Sequence, residues 1–143
     1  MMSEKNDYNI LKKNLPKGKD RLERIENMAG LGTPDVNFCS DGVECWIEMK
    51  SSTEPKRLTS LLLASNHKLS QVQKNWFLKQ RNAGGKCYIL IATDKRWMLI
   101  NGKYADGINK MTVGQLSNIA LWQSLRPVKS EVWSQLRKVL QVL

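Results

Sequence analysis

Residues 35–50 leave the chain little conformational choice. Val43, Cys45, Ile47 and Met49 alternate with Glu44, Trp46, Glu48 and Lys50, a period of two that belongs to a strand with unlike faces. Just upstream, Asp41-Gly42 is a dipeptide suited to a two-residue hairpin turn, whose central positions need positive φ. Asp35–Cys39 then reads as the partner strand. The alternation places Glu48 and Lys50 on one face, shared with Trp46.

The rest of the chain supplies a setting for this hairpin. Residues 4–14 predict a short helix with Tyr8, Leu11 and Leu15 on one side, ended by Pro16–Gly18. Residues 21–28 are compatible with a strand, although Leu22 and Ile25 do not alternate cleanly, and Gly30–Pro34 breaks regular structure. A connection of undefined shape, 51–69, carries a leucine-rich patch at Leu58–Ala64. Ser70–Ala83 predicts a helix: Ser70 and Gln73 match a capping box, Gly84-Gly85 stops it, and Val72, Trp76 and Phe77 form its apolar stripe. Cys87–Thr93 suits a central strand, and Trp97–Ile100 follows a turn at Thr93–Arg96 as the next one. Helices are expected at about Thr112–Leu125, with Thr112 and Gln115 as a capping box, and at Ser130–Leu143, separated by Pro127. The expected fold is α/β, a mixed central sheet flanked by helices. It forms one domain over 1–143, with a core motif region at 21–101 and C-terminal helices over 112–143.

Charge narrows the partner. The net charge is +10, and residues 55–93 contain no Asp or Glu while carrying Lys56, Arg57, Lys68, Lys74, Lys79, Arg81 and Lys86. A second basic stretch runs through Lys12, Lys13, Lys17, Lys19, Arg21 and Arg24. A surface serving only solubility mixes both signs, so a polyanion, DNA first, is the expected partner. Three cysteines without CxxC spacing argue against a disulfide framework or a structural zinc site. No apolar run approaches the roughly 20 residues that span a bilayer, and the polar start MMSEKNDYN lacks a signal core. No membrane role and a cytoplasmic location are expected.

Chemistry concentrates in Gly32-Thr-Pro-Asp35 and, thirteen residues beyond Asp35, Glu48-Met-Lys50. A phosphodiester repels nucleophiles and has a poor leaving alkoxide; a divalent cation answers both problems. Mg²⁺ takes hard oxygen ligands and usually only one or two protein carboxylates. The hairpin can bring Asp35 to Glu48, with the Lys50 ammonium one side-chain period away to hold the attacking water or the charged transition state. Each residue has a plain structural alternative: Asp35 as a turn residue after proline, Glu48 and Lys50 as the wet face of an edge strand. Their conjunction favours catalysis.

These residues resemble the PD-(D/E)XK nuclease superfamily. Arg24-Ile-Glu-Asn27, Gly30, Gly32-Thr-Pro-Asp-Val36, Trp46-Ile-Glu-Met-Lys50, Leu69-Ser70, Gln73 and Trp76 are similar to the VRR-NUC branch and to small stand-alone phage enzymes near it. The resemblance covers 21–93. It implies a sheet flanked by helices, Mg²⁺ or Mn²⁺ as cofactor, and hydrolysis leaving a 5′-phosphate. It further implies that Asp35, Glu48 and the Met49 main-chain carbonyl hold metal, that Lys50 is the catalytic lysine, and that Gln73 belongs to the centre. Gln73 has a rival role in the capping box with Ser70. A further acid is drawn from Glu4, Asp7, Glu23 and Glu26, with Glu26 favoured because it lies in the matching stretch.

The resulting expectation is a metal-dependent DNA endonuclease selective for branched DNA such as four-way junctions, with Lys56, Arg57, Lys68, Lys74, Lys79 and Arg81 on the DNA. A non-catalytic basic DNA-binding module and a general flap or end nuclease are the alternatives. A homodimer is expected because one centre cuts one strand, and because Leu121, Trp122, Leu125, Val132, Trp133, Leu136, Val139, Leu140, Val142 and Leu143 exceed one helical stripe. His67 reads as a solvated loop residue. Trp46 reads as packed under a helix more readily than as a base-stacking platform.

Overall fold

The computed structural model describes residues 3–26, 32–63 and 67–143. Helix α1 (Glu4–Asn14) leads into strands β1 (Arg21–Arg24), β2 (Val36–Ser40) and β3 (Val43–Ser52). Helix α2 (Gln71–Asn82) crosses to β4 (Cys87–Thr93) and β5 (Arg96–Asn101). Two short 3₁₀ turns then precede α3 (Val113–Ile119), β6 (Trp122–Leu125) and α4 (Ser130–Leu140). The six strands form one sheet in sequence order. Every neighbouring pair is antiparallel except β3 and β4, which run parallel.

Asp41 and Gly42 both take positive φ, 52° and 79°, the pairing a tight hairpin turn requires. Its register sets Val36 opposite Ile47 and Asn37 opposite Trp46. Strand β4 is buried along its whole length, as a strand covered on both faces should be.

One sheet face packs Phe38, Ile47, Met49, Leu90 and Leu99 against Tyr8 and Leu11 of α1 and Trp133, Leu136 and Leu140 of α4. Trp97 meets Trp133 edge-on, centroids 5.2 Å apart. The opposite face packs Ile89, Ile91, Met98 and Ile100 against Phe77 of α2 and Val113 and Leu116 of α3. Burying each such side chain contributes about 1.5–3 kcal/mol. Alternation along β3 sends Ile47 and Met49 into the first layer and Trp46, Glu48 and Lys50 toward α2.

Two sequence expectations change here. The segment 112–125 is a two-turn helix followed by β6, rather than one long helix. Leu121 donates its N–H to Leu99 O, and Gln123 Nε2 donates to Ser117 O, so the chain turns back onto β5. On α2 the inward residue is Phe77, while Val72 is 43% exposed. The leucine-rich patch also divides: Leu62 and Leu63 are buried and Leu58 and Leu61 exposed, and Ala64 lies outside the described residues.

Helix α1 is fixed by a buried polar cluster. Asp7, 2% exposed, accepts 2.5 Å bonds from Ser51 Oγ and from Arg126 Nη2. Arg126 also donates to Thr93 O at 3.0 Å. The bond to Ser51 ties α1 to β3 directly beside Lys50.

Candidate active site

Asp35 just before β2, Glu48 and Lys50 on β3 and Gln73 in the first turn of α2 come together. Asp35 precedes β2, and its carbonyl accepts from Ile25 N at 2.8 Å, which extends the β1–β2 pairing and fixes its backbone. Its carboxylate Oδ1 accepts from Met49 N at 2.9 Å. Glu48 and Lys50 are 5% and 7% exposed, and Lys50 Nζ stands 3.8 Å from Glu48 Oε2. The same ammonium reaches Lys68 O at 3.3 Å and, with a long contact of 3.4 Å, Gln73 Oε1.

Gln73 serves two roles at once. Its Oε1 accepts from Ser70 N at 2.9 Å, closing the capping box of α2. Its Nε2 donates to Glu48 Oε2 at 3.1 Å. The cap therefore aims the amide, and the amide holds the carboxylate. Gly32 keeps the approach tight: at φ +80° it lies against the first turn of α2, where a Cβ would come within 2.2 Å of Val72 O. Any side chain there would force the run carrying Asp35 away from the helix carrying Gln73.

Burial raises both acids. Asp35 is pushed up to about 6 by desolvation, against the bond from Met49 N–H. Glu48 is pushed up to about 8 by desolvation and then by the charge of Asp35, with Lys50 only partly offsetting them. Near neutral pH the pair holds about one proton between them. Two hard oxygen donors, buried and short of positive charge, suit a divalent cation such as Mg²⁺ or Mn²⁺, which would displace that proton. Among the described residues no group of three His, Cys, Asp or Glu side chains converges. Two carboxylates alone are a donor set that Mg²⁺ tolerates, since it usually keeps several of its waters.

Sequence reasoning left the further acid open among four residues, and the fold separates them. Asp7 is engaged by Arg126, and Glu23 by Arg21. Glu26 is exposed beyond the end of β1. The charge of Glu4 bears on both Asp35 and Glu48. Glu4 is itself exposed, in the first turn of α1. Asn27 and Gly30 lie outside the described residues. His67 is exposed. Trp46 is half-buried against Trp76 of α2, ring centroids 5.6 Å apart. Lys56, Arg57, Lys68, Lys79 and Arg81 are exposed, and Lys74 is half-buried.

No protein-family model and no curated protein matches this sequence. Among solved structures, the chain is similar to Hjc, a Holliday junction resolvase from the archaeal hyperthermophile Archaeoglobus fulgidus. The TM-score is 0.55 at 15% identity, over 92% of this chain and 95% of that one. The fold is restriction-endonuclease-like. In this restriction-endonuclease-like fold the β2–β3 hairpin carries both cleft acids, and the crossover helix α2 brings Gln73 to them. The narrower likeness to the VRR-NUC branch rests on the sequence residues alone.

Proposed function

We propose that this chain is a divalent-metal-dependent DNA endonuclease with a preference for branched DNA, four-way junctions in particular. The observation that carries the reading is the pairing of buried Glu48 with half-buried Asp35, undercharged on the positive side, with the Lys50 ammonium 3.8 Å from Glu48. Asp35, Glu48 and the Met49 main-chain carbonyl would hold Mg²⁺ or Mn²⁺. Glu4 is the better supported further acid and Glu26 the second choice. When bound, the cation lowers the pKa of water and neutralises charge on the phosphate.

The chain's own residues do the rest. Gln73 Nε2 holds Glu48 in one orientation, and Lys68 O and Gln73 Oε1 hold the Lys50 ammonium beside it. A donor fixed in this way meets the developing charge of a phosphoryl transition state without reorganising. The basic residues Lys56, Arg57, Lys68, Lys74, Lys79 and Arg81 would bind the DNA backbone, and the resemblance supports a 5′-phosphate product.

The branched-substrate preference is supported by the backbone likeness to a protein described as a Holliday junction resolvase. A homodimer would set two centres on two strands. Its apolar surface, however, is not the whole C-terminal set: Trp122, Trp133, Leu136 and Leu140 line the chain's own core, which leaves Leu121, Leu125, Val142 and Leu143 exposed. Leu125, 69% exposed on edge strand β6, is the best-placed of these.

The deciding experiment digests linear duplex, flap, fork and four-way junction with Mg²⁺, Mn²⁺ or EDTA, beside the Asp35→Asn, Glu48→Gln and Lys50→Ala variants. Cleavage in metal by the unaltered protein, and none by the variants, is expected. DNA binding with no cleavage in either metal would leave a non-catalytic module. Equal cutting of all substrates would leave a general nuclease.

A further inference from the structure

Beside α2 lies a basic groove that the sequence only half disclosed. One hollow of about 290 Å³ is lined by Lys74, Arg81 and Lys103, and another of about 500 Å³ by Lys68, Lys74 and Lys110. Lys74 and Asp106 line both, so the two hollows adjoin along one side of α2. Five cations thus face a single acid. None of the five takes part in an ion pair among the described residues, whereas Arg96, Arg126 and Arg137 are each committed to a carboxylate. All but Lys74 are exposed.

The groove is built rather than incidental. Gly102 packs so closely that a Cβ would stand 2.5 Å from Cys87 Sγ and 2.9 Å from Phe77 Cδ1, which lets the 102–110 segment run alongside α2. Asn109 clamps that segment to Leu69 by two 2.8 Å bonds, one to its N–H and one to its carbonyl. Like charges held in so fixed an array repel unless a polyanion neutralises them. Lys74 and Arg81 are seven residues apart, about 10.5 Å along a helix. That spans about three steps of duplex DNA at 3.4 Å per step. At the near end, Lys68 O accepts from Lys50 Nζ at 3.3 Å, so the groove starts at the cleft.

We propose that this groove is a phosphate track holding the backbone of the DNA arm that leads away from the cleft, with Lys103 and Lys110 as DNA-contacting residues. The proposal rests on the nuclease reading for the location of the scissile phosphate. Residues 102–110 lie outside the acid-free stretch, so Lys103 and Lys110 distinguish the track from a generally basic surface.

The test measures duplex binding in EDTA across a salt series, so that no cleavage intervenes. Lys103→Glu with Lys110→Glu should weaken binding and flatten the log–log salt slope by about two, since each phosphate contact releases about 0.9 counterion. Lys129→Glu with Lys138→Glu, on the α4 layer, changes net charge equally and should leave the slope as it was. Should the Glu pair fail to fold, Lys103→Gln with Lys110→Gln reads the same contacts. A slope unmoved by either groove pair, or moved equally by the α4 pair, overturns the track. If the slope responds but the unaltered protein cuts no DNA in Mg²⁺, the nuclease reading fails and the track stands.

Discussion

Buried acids occupy two regions of this molecule, and they are treated in opposite ways. In the framework, Asp7, Asp20 and Glu54 each meet an arginine: Arg126, Arg137 and Arg96. Asp20 shows the result, its carboxyl held down to about 2 by Arg137 and, beyond the cost of burial, by Ser40. In the cleft, Asp35 and Glu48 share one lysine 3.8 Å from Glu48 and repel each other. Arg137 forks onto both oxygens of Asp20, whereas Asp7 divides its oxygens between Arg126 and Ser51. The cleft acids keep unmet demand for positive charge, which is the electrostatic signature of a place where a cation or a reaction is expected.

The largest break in this contrast should come from neutralising the cleft. Asp35→Asn or Glu48→Gln should lower cleavage at least about 10²–10³-fold, the scale of losing one preorganised electrostatic element. The fold should survive at neutral pH, because the pair already carries about one proton there and an amide keeps the shape of the protonated carboxyl. Full activity in purified Glu48→Gln protein would end the assignment. Neutralising a framework acid should do the reverse. Asp7→Asn removes the buried carboxylate charge that Arg126 and Ser51 share, and stability should fall by about 3 kcal/mol in urea titration. A loss under about 1 kcal/mol would mean the framework pairs are not what distinguishes the two regions.

pH sharpens the comparison further. Glu48 and Asp35 titrate higher folded than unfolded, so the native state binds more protons across that interval, and stability falls as pH rises. In metal-free protein the decline should begin near pH 4 and finish near pH 8. Asp20 acts in the opposite sense, its contribution being lost as pH falls below about 4 toward 2. Denaturation at pH 5 and pH 8.5 should show the metal-free protein weaker at the higher value, and Mg²⁺ should remove the difference. A flat metal-free profile contradicts the described electrostatics. The smallest effect separates the two jobs of Gln73. Ser70→Ala should cost about 1 kcal/mol as a lost cap with cleavage largely kept, whereas Gln73→Ala should lose a similar stability and most cleavage.

The hairpin was legible because Asp41-Gly42 and a clean period of two are local signals, and Asp35, Glu48 and Lys50 came with it. Gln73 was legible twice over, and no sequence argument could show that the two roles coincide. That coincidence depends on Gly32 meeting α2, a contact between segments about forty residues apart. Strand β6 was hidden because Val113, Leu116, Ile119, Trp122 and Leu125 recur every three residues, close to a helical stripe. What ends the helix is pairing with Met98 and Leu99 on β5, which local pattern does not record. Lys103 and Lys110 escaped notice because charge counted along the chain misses cations that only folding brings beside α2.

The lone parallel pairing, β3 with β4, has an engineering consequence. Helix α1 and the first three strands all lie before Thr53, and the remaining helices and strands all lie from Gln71 onward. A nick at the exposed stretch Lys56–Thr59 would therefore yield two complementary halves, one owning Asp35, Glu48 and Lys50, the other Gln73. Neither half owns a complete cleft. Fused to two binding partners, they would reassemble along the β3–β4 ladder, and on the nuclease reading proposed above DNA cutting would report when those partners meet.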